Sequence, residues 1–338
     1  MLLDFSTINH YKTEDYQEIW QQEIIAFIQL YLDKSSDLAL KTSGSTGEPK
    51  TIHIAKKYLK NSALMTGNFF HLKAGNTALL CLPIQYIAGK MMIVRAIELK
   101  LQLFCVAPTA EVKLPVDQKI DFAAMVPMQV EKSLPYLNTI QQLIIGGAAI
   151  SPYLVERLQT LQTACYATYG MTETVSHIAL RKLNGKDKSD TYTTLEDIEI
   201  QQDENQCLRI ICPKLSSEVV QTRDKVEIID AKHFQFLGRL DYVINSGGVK
   251  IHPEILEQKL APFLPNNRYF IASEPDSLLG EKVILIIESN AEITDLEHLL
   301  KQNLDSIERP RKIYYTQSFV ETTTQKVNRK ATLEKILT

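Results

Sequence analysis

Residues 42–50 read Thr-Ser-Gly-Ser-Thr-Gly-Glu-Pro-Lys, set between two apolar runs. Gly44 and Gly47 can adopt backbone angles closed to other residues. Successive backbone N–H groups can then turn toward one point and form an anion nest. Ser43, Ser45, Thr46 and Lys50 add donors and a charge. The chemistry is phosphate binding, but the spacing is not that of a P-loop. That motif needs four residues between its glycines, then Gly-Lys-Ser/Thr opening a helix. Here Pro49 precedes the lysine and the β-branched alternation of 51–54 follows, which predicts a loop closing a hairpin. A polar surface turn has the same composition.

A second constellation is Tyr169-Gly170-Met171-Thr172-Glu173, directly after a strand-like run at 164–168. The carboxyl ends of parallel strands are where open α/β sheets place ligands. An aromatic beside glycine can stack on a flat base. A hydroxyl can donate to phosphate, and the carboxylate next to it can hold Mg2+, which shares oxygen ligands with phosphates. A strand-end turn is the plain alternative. Gly146-Gly147-Ala148-Ala149 also follows a strand and would let a flat ligand approach the backbone; a tight strand-to-helix turn explains it equally. Two further pieces are Gly238-Arg239-Leu240-Asp241 with Asn245-Ser246-Gly247-Gly248 behind it, and Lys326 near the C-terminus within Thr324–Arg329. Taken alone, that lysine is a solvated charge.

The elements that must position these residues follow an alternating rhythm. Strand-like runs fall at 38–42, 77–82, 101–106, 121–126, 141–145 and 164–169. Helical periodicity falls at 14–32, 56–72, 87–100, 128–137 and 151–162. Continuous apolar strands alternating with helices predict a mostly parallel sheet covered on both faces. After about 175, short strands predict an antiparallel β layer. From about 239 the pattern predicts helices at 253–261, 294–304 and 329–337 and strands at 268–273, 282–288 and 312–317. The expected architecture is α/β. A large N-terminal domain over 1–238 has a mostly parallel sheet plus a β layer, and a small C-terminal α+β domain covers 239–338.

Composition narrows the function. The 338 residues are 45% hydrophobic with a net charge of −3, and no basic block suggests nucleic acid as a partner. The five cysteines lack Cys-x-x-Cys spacing and read as reduced core residues of a cytoplasmic protein. The seven histidines form no His-x-x-x-His pair, so a built-in zinc site is not expected. The first residues do not read as a signal peptide, and no apolar stretch is long enough to insert in a membrane. A homodimer is left open.

In this order the motifs resemble those of the adenylate-forming superfamily of acyl-CoA synthetases, peptide-synthetase adenylation domains and luciferases. The likeness runs from about 38 to 337. It implies ATP, Mg2+ and coenzyme A as partners of a small carboxylic acid, and an AMP-forming acid–thiol ligase as the activity. Thr42, Ser43, Gly44, Ser45, Thr46, Gly47 and Lys50 would embrace the β- and γ-phosphates. Gly146, Gly147 and Ala148 would border the adenine, with Tyr169 stacked on it and Gly170 and Met171 completing the turn. Thr172 would touch the α-phosphate, and Glu173 would hold the metal. Asp224 would take the ribose hydroxyls and Arg239 the nucleotide. Asp241 would be the hinge, Lys326 the adenylation lysine, and Ser246, Gly247 and Gly248 the thiol-tunnel lining.

The sequence departs from the family pattern in several places. Gln325 and Arg223 stand where glycines are usual, Tyr242 where a second acid is common, and Tyr86 where histidine is frequent. Only about 40 residues precede the Ser/Thr/Gly loop, so a reduced N-terminal subdomain is expected. That front end and the run at 169–177 look most like the o-succinylbenzoate–CoA ligases of menaquinone synthesis. Their substrate carries a second carboxylate, for which Lys90, Arg95, Ser176 and His177 are candidates, and Tyr86 is a further substrate-binding candidate. Lys90 and Arg95 could equally lie on a solvated helix face, and His177 could be a plain strand position. A ligase for another small aromatic or short-chain acid, a non-catalytic adenylate-binding protein, and a carrier-protein arm in place of CoA are alternatives.

Overall fold

The computed structural model describes residues 1–7, 11–41, 51–114, 119–265, 267–322 and 327–337; for Leu40 and Lys41 it describes the backbone alone. The chain opens with β1 (Leu2–Asp4), α1 (Ile19–Leu32), β2 (Asp37–Lys41), β3 (Thr51–Ala55) and α2 (Lys56–Phe70). It continues through β4 (Thr77–Leu80), α3 (Ile87–Glu98), β5 (Gln102–Cys105), β6 (Ile120–Met125), α4 (Pro127–Ser133), β7 (Ile140–Ile145), α5 (Pro152–Leu158) and β8 (Ala164–Gly170). The strands β5, β4, β6, β7 and β8 lie side by side in that order, all parallel. The order reverses at β4, so the carboxyl ends of β4 and β6 flank a switch point of the kind that holds ligands in open α/β sheets.

Apolar residues on both faces of each strand explain the double covering. On β6, Phe122 and Ala124 enter one core with residues of α1, α2 and α3, while Ile120, Ala123 and Met125 enter another with residues of α4 and α5. Burying one such Phe or Ile side chain contributes roughly 1.5–3 kcal/mol. The expected parallel strands at 77–82, 101–106, 121–126, 141–145 and 164–169 are therefore all present.

The run at 38–42 is a correction. Among the described residues, β2 does not join this sheet and pairs only with β3, antiparallel, in a two-stranded ladder. Leu38 is buried while Ala39 is exposed, the alternation of a strand with one wet face. The hairpin expected around the Ser/Thr/Gly loop is formed, although residues 42–50 themselves lie outside the described residues.

Beyond β8 come β9 (His177–Lys182), β10 (Tyr192–Thr194), β11 (Glu199–Gln202), β12 (Cys207–Ile211), β13 (Val220–Ile228) and β14 (His233–Arg239). These are antiparallel, as expected, but they hydrogen-bond onto β8 and extend the same sheet to 12 strands. After Leu240–Tyr242 follow β15 (Ile244–Ser246), β16 (Val249–Ile251), α6 (Pro253–Leu260), β17 (Tyr269–Asp276), β18 (Gly280–Glu288), α7 (Leu296–Asn303), β19 (Lys312–Thr316) and α8 (Arg329–Leu337). Their five strands form a separate sheet. Two small cores, with buried members from Ile244 onward, pack against it. All five cysteines are free and buried. No helix among the described residues is long and apolar enough to cross a membrane.

Candidate active site

The carboxyl ends of β7 and β8 meet closely. Gly146 lies against the Thr168 hydroxyl with no room for a Cβ, and Gly147 has φ +84°, so both positions demand glycine for steric reasons. Thr168 Oγ1 donates to the Ile145 carbonyl at 3.3 Å. Gly170 is pressed on the Ser176 carbonyl and the His177 backbone, again with no space for a side chain.

Just past β8, Thr172–Thr174 make one 3-10 turn. Val175 then takes φ 68° and ψ −52°, and Ser176 N donates to the Thr174 carbonyl at 2.7 Å. This is the rarer, strained γ-turn, held on a buried β-branched residue. Such a conformation costs on the order of 1–3 kcal/mol. It projects Glu173 to solvent on one side and turns Ser176 and His177 inward on the other. Among the described residues no group of three His, Cys, Asp or Glu side chains converges. Glu173 is thus a lone exposed carboxylate, suited to a hard cation only where a phosphate shares it.

Tyr169 is buried, its ring edge-on to Tyr192 and Phe234 with centroids 5.8 and 5.2 Å away. Its hydroxyl donates to Asp224 Oδ2 at 2.7 Å. Burial, and then the Asp224 charge, push the Tyr169 pKa up, so the phenol stays protonated. Asp224 Oδ1 meets Arg239 Nη1 at 3.4 Å, and Asp224 and Arg239 are register partners on β13 and β14. Arg239 Nη2 continues to Asp241 Oδ2 at 3.0 Å. Four residues picked from the sequence, Tyr169, Asp224, Arg239 and Asp241, are therefore one connected chain of hydrogen bonds.

The second cluster is buried. Arg95 on α3 is only 2% exposed. Its guanidinium donates to Ser176 Oγ at 2.9 Å and Thr66 Oγ1 at 3.3 Å, and lies 3.5 Å from His177 Nδ1 and 3.7 Å from Met92 Sδ. His177 Nε2 is 3.3 Å from Thr66 Oγ1. None of these partners is a carboxylate. Desolvation pushes the Arg95 pKa down to about 9, leaving a cation at neutral pH. Burial, then the Arg95 charge, holds His177 well below its usual value, so it is neutral. The solvated-face reading of Arg95 is corrected by this burial, which follows from the run Met91–Ala96 being buried on every side.

Lys90 and Tyr86 do not join that cluster. Lys90 is half-buried, donates to the Gln85 carbonyl at 3.1 Å and lies 5.9 Å from the Phe27 ring. Burial lowers its pKa. It lines a shallow groove of about 300 Å3 with Glu23, Phe27 and Leu30 of α1. Tyr86 is 37% exposed at the start of α3. Ser246 is buried, and Gly247 and Gly248, at φ +57° and +83°, close the β15–β16 hairpin. That is the two-residue turn with both central residues at positive φ, a signal present in Ser-Gly-Gly-Val. Thr42–Gly47, Lys50 and Lys326 lie outside the described residues. Thr66 was missed by sequence reasoning; a threonine in an amphipathic helix carries no distinguishing mark.

Residues 34–204, half of the chain, match the family described as AMP-binding enzyme. The chain belongs to that family. Among curated relatives, the 2-succinylbenzoate–CoA ligase of Haemophilus influenzae is 25% identical over 304 residues, covering 81% of this chain and 65% of that protein. The chain thus spans less than two thirds of that relative's length. Among solved structures, an acyl-CoA synthetase (AMP-forming)/AMP-acid ligase II-like protein from Dyadobacter fermentans is 36% identical, with a TM-score of 0.65 and coverage of 96% and 97%. The Bacillus subtilis o-succinylbenzoate coenzyme A synthetase, solved with ATP and magnesium, shares the fold at TM-score 0.72 and 17% identity, covering 88% of this chain and 70% of that one.

Proposed function

We propose that this chain is an ATP-dependent, AMP-forming acid–CoA ligase whose acid is o-succinylbenzoate. The observation that carries the substrate is the buried Arg95 guanidinium, held by Ser176, Thr66 and His177 with no carboxylate beside it among the described residues. A buried cation left without a counter-ion is costly. An acid with a second carboxylate supplies that counter-ion. The named 2-succinylbenzoate–CoA ligase relatives point the same way.

In the first step the acid's carboxylate attacks the α-phosphorus of ATP, giving an acyl-adenylate and pyrophosphate. In the second, a thiolate attacks the acyl carbon and AMP leaves. Like charges meet in the first step, so positive charge and donors must gather there. Lys326, by family resemblance, supplies charge, and the Ser/Thr/Gly loop supplies donors. Glu173 and Thr172 offer the oxygen donors that fit Mg2+ shared with phosphates; the ion would neutralise developing charge. Removing one preorganised contact of this sort lowers the rate by about 10²–10³. Asp224 accepts hydrogen bonds from ribose, while the buried Tyr169 anchors Asp224. We assign residues 1–238 and 239–338 to two units that reorient about Asp241 between the steps.

The test is pyrophosphate release over a panel of o-succinylbenzoate, benzoate and short fatty acids, with and without CoA. The proposal expects release with o-succinylbenzoate to exceed that with benzoate by at least tenfold. Preference for a monocarboxylate would overturn the substrate and leave the adenylation chemistry standing.

A further inference from the structure

The chain passes from the large sheet to the second sheet through Leu240–Tyr242, a turn that contributes no buried residue. Buried members of the larger cores stop at Phe234, and those of the smaller cores begin at Ile244. Asp241, inside this crossing, is gripped from one side only. Arg223 Nε on β13 meets its Oδ1 at 2.5 Å, and Arg239 Nη2 at the end of β14 meets its Oδ2 at 3.0 Å. Burial pushes the Asp241 carboxyl up, but the two arginines outweigh it and hold the group below the usual carboxylate range.

The two arginines differ in their other duties. Arg239 also reaches Asp224, which Tyr169 holds. Arg223 has Asp241 as its one ionic partner among the described residues, and its side chain is 59% exposed. A glycine at 223, usual in the family pattern, would leave one oxygen of Asp241 free. Both arginines precede the crossing and belong to the large sheet. A change in φ at Asp241 swings its carboxylate away from both arginines and breaks the Arg223 contact, whereas a change in ψ alone leaves the carboxylate in place.

We propose that Arg223 is a positioning residue that pins Asp241 to the edge of the large sheet and so biases the orientation of the chain beyond Asp241 toward the one described here. The consequence for catalysis rests on the two-step reading above. An exposed ion pair supports a bias of up to about fivefold. Removing it releases one orientation to the benefit of the other. The half-reaction served by the present orientation slows, and the other accelerates.

The experiment measures both half-reactions, adenylate formation by pyrophosphate release and CoA transfer from preformed adenylate, in the full-length wild type, Arg223→Ala and Arg223→Lys. The expected result is a change of about two- to fivefold in the ratio of the two rates, in opposite directions, partly restored by lysine. Raising salt to 0.5 M should move the wild type toward the alanine variant and leave that variant unchanged, because exposed charges are screened. A second readout needs no substrate. Spin labels at Glu199→Cys and Glu297→Cys, with the native cysteines buried, report the distance between the sheets. Arg223→Ala should broaden that distribution. A broadened distribution in a protein that releases no pyrophosphate would uphold the clasp and overturn the proposed reaction. An unchanged distribution, with both half-reactions equally slowed or unaffected, would overturn the clasp.

Discussion

Replacing Arg95 with methionine should remove substrate selection while leaving the stability of the fold within about 2 kcal/mol of the wild type. The guanidinium is 2% exposed among neutral partners, and burial lowers its pKa from 12.5 to about 9. At about 1.36 kcal/mol for each tenfold change in proton affinity, that is a penalty on the order of 5 kcal/mol at neutral pH. Methionine matches the stem in volume and needs no counter-ion, and such replacements of buried charge are often neutral or stabilising by 1–4 kcal/mol. Leaving Ser176 and Thr66 without their donor offsets part of this, about 1 kcal/mol each. The expected change in urea-unfolding free energy therefore lies between a loss and a gain of about 2 kcal/mol. A charge-assisted hydrogen bond to a substrate carboxylate is worth roughly 1.5–3 kcal/mol. The ratio of kcat/KM for o-succinylbenzoate over benzoate should fall by about 10- to 150-fold. KM for ATP should hold. A methionine variant that keeps the wild-type ratio would refute the reasoning, whatever its stability.

Three other outcomes follow from the geometry. Tyr169→Phe removes the 2.7 Å hydrogen bond to Asp224 and should weaken ATP binding by about 1–3 kcal/mol, measured by calorimetry; unchanged affinity would detach Asp224 from the nucleotide. His177 is held neutral, so the unfolded chain binds a proton that the folded one refuses. Its stability contribution is present above the unfolded pKa of about 6.5 and is lost as pH falls below it; His177→Gln should lose less Tm than the wild type between pH 7 and 5. Val175→Gly relieves a strained φ of 68° worth about 1–3 kcal/mol while losing roughly 1.5–3 kcal/mol of burial. Its stability should change by less than about 2 kcal/mol, with pyrophosphate release falling at least tenfold; a loss above 4 kcal/mol on urea unfolding would contradict the strain argument.

The parallel strands were legible because their apolar runs are continuous, as in Ala123-Ala124-Met125 and Leu143-Ile144-Ile145. Strand β10 was not, since Tyr192–Thr194 is three residues long and carries no alternation that counts. The residues assigned to the nucleotide by resemblance stood out through motif and spacing. Their mutual bonds did not, because Tyr169 and Asp224 are 55 positions apart, on strands β8 and β13 that have β9, β10 and β14 between them in the sheet. Burial of Arg95 is the sharpest case. On α3 a cation every few residues suggests a wet face, yet α2 covers that stretch and supplies Thr66. The strain at Val175 has no sequence signal at all, since valine is the last residue expected at positive φ.

The most direct measurement is the product of a single turnover. The protein is mixed with ATP, Mg2+ and o-succinylbenzoate without CoA, quenched with acid and resolved by mass spectrometry; CoA is then added to a parallel sample. The account predicts an enzyme-bound o-succinylbenzoyl-adenylate with one equivalent of pyrophosphate. CoA addition should replace it with the thioester and AMP. ADP with phosphate as products, or no adenylate with this acid while benzoate gives one, would contradict it.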